Sequence, residues 1–204
     1  MDKKELLKKL EQQGFSKQTL NAFAKVRRED FVSGVEKMYV YEDQPLSIGY
    51  AQTISQPSCI TTMLEMLDLK KSQKVLEIGS GCGYVLALLS EIVGKSGFVY
   101  GIERIKELAE SSRRNLKNYS NVYVYCGNGT KGLLEHAPFD RILISAALKE
   151  IPEQLKHQLK NDGIIVAPIE IQGTQILTKF KKQKNKFEKK QGIEVRFVPF
   201  IEEN

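Results

Sequence analysis

The stretch Glu77-Ile78-Gly79-Ser80-Gly81-Cys82-Gly83-Tyr84 stands where one rhythm of the sequence ends and another begins. Upstream, Val75-Leu76-Glu77-Ile78 is a short apolar run bounded by a glycine cluster, the pattern of a buried strand. Downstream, residues 84–93 repeat their apolar positions at helical spacing. A strand therefore hands over to a helix through a glycine loop. Glycines there let the backbone turn tightly and let a ligand approach, and the helix start leaves N–H groups free. A pyrophosphate-binding loop calls for Gly-x-Gly-x-x-Gly. Here the third glycine is Gly83, so the spacing is Gly-x-Gly-x-Gly. Glu77, just ahead of the loop, repels a pyrophosphate and suits a ligand that carries an ammonium group.

Working outward, strands are predicted at 98–102, 122–126, 141–145 and 164–167, with helices at 105–116 and 151–159. Two closing strands follow at 175–180 and 194–200, read as antiparallel. Strands alternating with helices of this length predict an α/β fold: a doubly wound, Rossmann-like, mostly parallel sheet with helices on both faces. Upstream of the loop the chain reads as an N-terminal helical addition. Ser16 caps a helix whose Leu20, Phe23 and Ala24 share a face. Pro45, Gly49 and Pro57 punctuate a connection over 41–57, and 60–69 returns to helical spacing with Met63, Leu64 and Leu67 together. No internal repeat is visible. One domain is expected over 1–204, in three stretches: a helical and acceptor-binding segment 1–70, a cofactor core 71–170, and C-terminal strands 171–204.

Composition bounds the rest. With 204 residues, 41% hydrophobic and 27% charged, the chain is an ordinary globular sequence and not a disordered or collagen-like one. No uncharged apolar run approaches the ~20 residues that a membrane span needs. The first residues mix Lys, Glu and Leu without the apolar core of a secretory signal. Cys59, Cys82 and Cys126 lack metal-ligand spacing, and free thiols in a reducing cytosol are expected, so the sequence reads as cytoplasmic with no metal and no membrane. The net charge is +6, and the run 179–190, opened by Lys179 and closed by Lys190, carries all of it with seven lysines against Glu188. It has no arginine for bidentate phosphate contacts, and Phe180 and Phe187 fall where two short strands and a turn place them. A solvated basic hairpin is expected, not a nucleic-acid grip.

Two further carboxyl-end positions complete a ligand pattern. Glu103, followed by Arg104, closes the second strand, where a carboxylate accepts from both hydroxyls of a ribose. After the third strand comes Gly127-Asn128-Gly129, where a side-chain oxygen accepts from an exocyclic amine. An ammonium, a ribose and an adenine in a row describe S-adenosylmethionine, held by Glu77, Gly79, Ser80, Gly81, Gly83, Glu103, Arg104, Asn128 and Gly129.

With Glu103, the glycine loop resembles that of class I S-adenosylmethionine-dependent methyltransferases. The resemblance extends over nearly the whole chain to the protein-L-isoaspartate (D-aspartate) O-methyltransferases. It is carried by Val26-Arg27-Arg28-Glu29-Asp30-Phe31-Val32, Ile48-Gly49-Tyr50-Ala51-Gln52-Thr53-Ile54-Ser55-Gln56-Pro57, Ala137-Pro138-Phe139-Asp140, Ser145-Ala146-Ala147 and Val195-Arg196-Phe197-Val198-Pro199. The Gln-Thr-Ile-Ser-Gln-Pro segment is the most specific of these.

The resemblance implies a repair enzyme. It would transfer a methyl group from S-adenosylmethionine to the free α-carboxylate of L-isoaspartyl residues in damaged proteins and peptides, releasing S-adenosylhomocysteine. The ester would cyclise to a succinimide whose hydrolysis returns some aspartate. A carboxylate is ionised at neutral pH and needs alignment, not a base. The two histidines, His136 and His157, fall outside the cofactor loops and read as surface residues. By the resemblance, Ser55 is the catalytic residue, orienting carboxylate and cofactor. Its other reading is an N-cap for the helix that Pro57 begins. Thr53, Ile54 and Ser55, with Ala146, Ala147 and Val198, are implied to line the acceptor peptide. Three departures stand out: Asn128 where the family has Asp, Glu170 where it commonly has Gly, and the basic run. Asn128 keeps an acceptor oxygen but loses the charge, which weakens cofactor binding without abolishing it. Two alternatives remain at this point, a tRNA adenine methyltransferase and a catalytically silent cofactor-binding protein. Against the first, the chain has neither an Asn/Asp-Pro-Pro-aromatic motif nor a Pro-Cys pair. Isoaspartyl proteins are the expected partners, and a monomer is the default.

Overall fold

A computed structural model describes residues 1–184 and 186–201 of the chain. Helix α1 (Lys3–Gln12) starts at a capping box in which Asp2 and Glu5 each accept the other's backbone N–H. Helix α2 (Lys17–Lys25) is capped by Ser16, as its sequence predicts. Its buried face is Thr19, Ala22 and Phe23, whereas Ala24 is exposed. The face is set by Phe23, whose ring meets Tyr84 edge-on at 6.1 Å. A turn of 3₁₀ helix, Arg28–Asp30, then buries Arg28 completely.

The segment predicted as a bare connection contains a small antiparallel hairpin, β1 (Leu46–Gly49) and β2 (Gln52–Ile54). Helix α3 (Pro57–Leu67) follows, with proline in its first turn, where the missing N–H costs nothing. Its N-cap position is Gln56, so Ser55 does not serve as the cap.

The core is β3 (Lys74–Ile78), α4 (Tyr84–Val93), β4 (Phe98–Glu103), α5 (Lys106–Asn115), β5 (Val122–Cys126), β6 (Phe139–Ile144), α6 (Glu153–His157), β7 (Leu159–Ile171), β8 (Thr174–Gln183) and β9 (Lys186–Val195). The strands form one sheet in the order β5-β4-β3-β6-β7-β8-β9. The first five are parallel and the last two antiparallel, the architecture that the alternating pattern predicts. One face of the sheet shares an apolar core with α1, α2, α3 and α4, and the other packs a smaller core with α6. Eight of the ten residues of α4 are buried, because it is covered by the sheet below and by α2 above. Truncating one of its leucines to alanine costs roughly 2–5 kcal/mol.

Two elements differ from expectation. β7 is 13 residues long and begins at Leu159, so the helix predicted to reach that residue stops at His157. The last strand is Lys186–Val195, not 194–200, and the basic run is therefore a long hairpin of β8 and β9. Residue 185 of the basic run, and residues 202–204 of the expected C-terminal stretch, lie outside the described residues. Among the described residues no helix is long and apolar enough to cross a membrane.

Candidate active site

In the sheet order, β4 and β5 lie to one side of β3, and β6 and β7 to the other. The crossovers leave in opposite directions at the β3–β6 boundary, which opens a crevice at the carboxyl ends of these strands. Register brings the tips level: Ile78 pairs with Ile102 and with Ile144, and Glu103 with Cys126. Each loop named in the sequence thus opens into one place. A cleft of about 750 Å³ is lined by Gly79, Gly81, Glu103, Arg104, Asn128, Gly129, Ser145 and Ala146, with Thr53 from the hairpin. Residues 198–201 form its far wall.

The loop is shaped by its glycines. Gly83 has φ +88°, and a Cβ there would lie 2.4 Å from Ser112 Oγ and 2.7 Å from Leu116 Cδ1. It lets α4 start against α5 and leaves the helix without a side-chain cap. Gly83 therefore acts through packing and does not line the cleft. Gly129 is also a packing residue, since a Cβ would meet Ile78 Cγ2 at 2.2 Å.

The carboxylates differ in environment. Glu103 accepts the N–H of Gly81 at 2.8 Å with one oxygen and that of Ile105 at 2.9 Å with the other. It fixes the loop and still presents lone pairs to the cleft. Glu77 is buried, with 1% exposure. One of its oxygens accepts from the Ser145 hydroxyl at 2.8 Å, and the other has no hydrogen-bond partner among the described residues. Burial raises its pKa to about 8, Glu103 adds to the rise, and the Ser145 hydroxyl opposes it. A buried, half-satisfied carboxyl beside a ligand cleft is a strong request for a cation or donor. An ammonium group meets it, and Glu103 one strand away suits a ribose. These residues fit S-adenosylmethionine.

Asn128 behaves differently from expectation. Its side-chain oxygen caps a 3₁₀ turn, accepting from Thr130 N–H and Thr130 Oγ at 2.8 Å each. The residue lines the cleft, but both bonds to this oxygen are made within the chain. Ser80 lies with Glu77 in a neighbouring cavity of about 350 Å³, outside the main cleft, and its buried hydroxyl has no partner among the described residues.

A second groove, of about 780 Å³, runs away from the cleft between Pro45, Thr53, Ser55, Gln56 and Cys59 on one side and residues 193–198 on the other. Thr53 and Ser145 line the cleft, the small cavity and the groove alike. Val198 borders both cleft and groove, and Ser55 borders both cavity and groove. Ser55 thus sits at the junction of the two spaces. Arg28 steadies it: the fully buried guanidinium donates to Ser55 O at 3.0 Å and Gln44 O at 3.4 Å, and lies 5.3 Å from the Tyr84 ring centroid. Ile54 is buried and reaches only the small cavity. Ala146 belongs to the cleft and not the groove. Ala147 borders neither; its backbone donates to Val198 O at 2.8 Å and accepts from Phe200 N–H at 2.7 Å, which holds the 198–200 strap in place.

No histidine or lysine lines these three spaces among the described residues. His136 accordingly takes no part in them. Its ring stacks on Tyr100 at 4.5 Å and hydrogen-bonds the Tyr125 hydroxyl at 2.6 Å, a more ordered setting than the surface position its sequence suggests. Cys59 and Cys82 are thiols at neutral pH, since burial pushes both up to about 11. The site can align groups and exclude water, and it is poor in proton-transfer residues. The sequence gives no site role to the Ser145 side chain, Phe200 or Ile201, and marks Gln52 and Pro199 only as members of family-like stretches. Ser145 was visible only as the first residue of a family-like tripeptide, with nothing local to mark its bond to Glu77.

The family model for protein-L-isoaspartate (D-aspartate) O-methyltransferase matches residues 1–204. A protein-L-isoaspartate O-methyltransferase of Ignicoccus hospitalis is 45% identical over 206 residues, covering 98% of each chain. Among solved structures, a protein-L-isoaspartate O-methyltransferase superposes with a TM-score of 0.91 at 32% identity, covering 97% of this chain and 65% of that longer one. A Plasmodium falciparum relative, solved in complex with S-adenosyl-L-homocysteine, gives 0.87 at 27% identity over 98% of this chain and 99% of the other.

Proposed function

The chain belongs to the protein-L-isoaspartate (D-aspartate) O-methyltransferase family, and on that premise we propose that it methylates the free α-carboxylate of L-isoaspartyl residues in damaged proteins and peptides. The cleft over the ends of β3, β4 and β5 takes S-adenosylmethionine, and the adjoining groove takes the acceptor segment. The observation that carries this reading is the meeting of two spaces at Ser55, with the buried, half-satisfied carboxyl of Glu77 on the cofactor side.

Each residue then has a task. Glu77 holds the ammonium end of the cofactor through the oxygen that Ser145 leaves open. Glu103 holds the ribose, with its own position fixed by Gly81 and Ile105. Gly79, Gly81, Arg104, Asn128 and Gly129 complete the wall. When bound, S-adenosylmethionine supplies an electrophilic methyl group on a sulfonium and leaves as S-adenosylhomocysteine. Ser55 orients the acceptor carboxylate, with Thr53 and Val198 as the groove walls nearest the cleft. The walls strip water from the carboxylate and hold it in line with the methyl carbon. One carboxylate oxygen forms the new C–O bond, and no proton moves. That balance agrees with a site that offers neither His nor Lys.

The three stretches act together in this reading. Residues 1–70 supply the acceptor side, 71–170 the cofactor side, and residues 193–198 of the C-terminal stretch close the groove. The chain works as a cytoplasmic monomer on protein substrates, without nucleic acid, metal or membrane as a partner.

Methyl transfer from labelled S-adenosylmethionine to a matched peptide pair tests the reading. Base-labile label on the L-isoaspartyl peptide, and none on the L-aspartyl peptide, is the expected result. Label on neither peptide, with the cofactor still bound, would sink it and make transfer RNA the next acceptor to try.

A further inference from the structure

At residue 193 the acceptor groove adjoins a second space. Ile193, 47% exposed, also borders a trough of about 940 Å³ whose floor includes Lys179, Lys190 and Gln191. Lys179 and Lys190 stand directly opposite each other in the β8–β9 pair, and Lys181 follows on the same face. Like charges in cross-strand register are unfavourable unless something anionic compensates them. The chain provides little. Glu65, in the trough, accepts from the hydroxyls of Ser16 and Thr19 through one oxygen and forms no ion pair with either lysine among the described residues. Glu188 lies opposite Lys181 and accepts from Gln183. Neither Lys179 nor Lys190 has an ion-pair partner among the described residues. The Lys179 ammonium is disfavoured by burial first, and by Arg141, Lys190 and Lys181, with only Asp68 acting for it.

Protection of a sheet edge accounts for part of the pattern. β9 is an edge strand, and lysines there discourage pairing with another chain. Lys179 lies on β8, which is paired on both sides, so edge protection gives no reason for it.

We propose that the trough extends the acceptor groove and binds an acidic stretch of the polypeptide being methylated, which makes isoaspartyl residues about three to six positions from aspartate or glutamate the preferred acceptors. Strand geometry sets the smallest separation: Lys190 lies three residues from Ile193, or about 10 Å along β9, so an acidic side chain there stands at least about three positions from an isoaspartate in the groove. This rests on the acceptor reading above and adds the substrate feature that the site selects. A polypeptide fits better than a nucleic acid because the trough adjoins, at Ile193, the groove that borders Ser55, and because the facing pair are lysines without an arginine fork.

The test uses the full chain and three isoaspartyl peptides that differ only about four residues from the isoaspartate, on either side: an Asp-Glu pair, an Asn-Gln pair or a Lys-Lys pair. The kcat/KM for the acidic peptide should exceed that of the neutral one by about five- to ten-fold at low salt, with the difference in KM. The lysine peptide should be the poorest. In about 1 M salt, where the Debye length is about 3 Å, the acidic-to-neutral ratio should fall towards one. The doubly substituted Lys179→Gln, Lys190→Gln protein should show a ratio near one at any salt. Equal kcat/KM for all three peptides at low salt would overturn the proposal, as would a preference that survives the double substitution. Salt-sensitive binding of transfer RNA that the double substitution abolishes, with the peptide ratio at one, would overturn it in favour of a nucleic-acid face. Label on none of the peptides would bring down the acceptor reading and this extension with it.

Discussion

Ser145 donates its hydroxyl hydrogen to Glu77 at 2.8 Å across the β3–β6 boundary and leaves the second Glu77 oxygen without a donor among the described residues. The bond joins the carboxyl ends of the two parallel strands between which the strand order reverses. It also makes the small cavity beside the cleft selective, since a buried carboxyl with an open oxygen rewards a cationic ligand and penalises an anionic one.

Glu77 makes stability and cofactor binding depend on pH. Its folded pKa is raised to about 8 by burial, above the unfolded value of 4.5. The stability it contributes is therefore fully present below about pH 4.5 and is lost as pH rises through about 8. Without cofactor, thermal unfolding of Glu77→Gln should show a shallower decline with pH over that window than the parent protein. Below about pH 8, ammonium binding should release a proton from Glu77, seen as a buffer-dependent calorimetric heat that Glu77→Gln lacks. The same substitution should weaken cofactor affinity by roughly ten-fold or more, as expected for loss of a charge-assisted bond.

Ser55 and Glu103 should separate catalysis from binding. Ser55→Ala should lower kcat by about ten- to hundred-fold with little change in S-adenosylmethionine affinity, because its place is at the acceptor junction. Glu103→Ala removes both the ribose acceptor and the partner of the Gly81 and Ile105 N–H groups. It should raise the cofactor Kd by at least about ten-fold. Cofactor titration and saturating-substrate rates on both proteins check the split, and loss of affinity alone in both would displace Ser55 from its assigned role.

Gly83→Ala should be a stability mutant. The new Cβ falls 2.4 Å from Ser112 Oγ at a φ of +88°. Backbone strain and overpacking together should cost roughly 2–4 kcal/mol, measured by denaturant unfolding. A change below about 0.5 kcal/mol would mean that α4 and α5 separate easily.

Much of this was legible beforehand because the core obeys local rules. Residues 84–93 form α4 and 122–126 form β5 at the predicted bounds, each bracketed by strong turn or loop signals. The β1–β2 hairpin was not legible. Its strands are short, and its turn residues Tyr50 and Ala51 take φ of 55° and 56° where Gly or Asn would have announced the turn. β9 was hidden for another reason: most of its residues are exposed, so no alternation marks it. The polar opening of β7, Lys160-Asn161-Asp162, likewise reads as a connection between a helix ending at 159 and a strand starting at 164. At the site, the carboxyl-end residues were found because successive strands place them in one layer. The Glu77–Ser145 bond spans 68 positions, a pairing that only the sheet order makes.

Asn128 offers a gain of function. Its oxygen is occupied by Thr130, and an aspartate would keep that cap with one oxygen and present a second, charged one. Asn128→Asp should tighten cofactor binding by a few-fold, with kcat unchanged, since charge-assisted bonds are about twice as strong as neutral ones. Isothermal titration compares the two proteins. Equal affinities would mean that Asn128 contributes only the turn.

The small cavity that holds Glu77 and the acceptor groove meet at Ser55, which in the proposed reading puts cofactor and acceptor on opposite sides. The structure of the chain with S-adenosylhomocysteine and an isoaspartyl peptide tests it most directly. The account predicts the cofactor ammonium on the open oxygen of Glu77, its ribose on Glu103, and the isoaspartyl carboxylate within hydrogen-bonding distance of Ser55 Oγ. A peptide seated away from the groove, or a Glu77 that faces no ammonium, would contradict it.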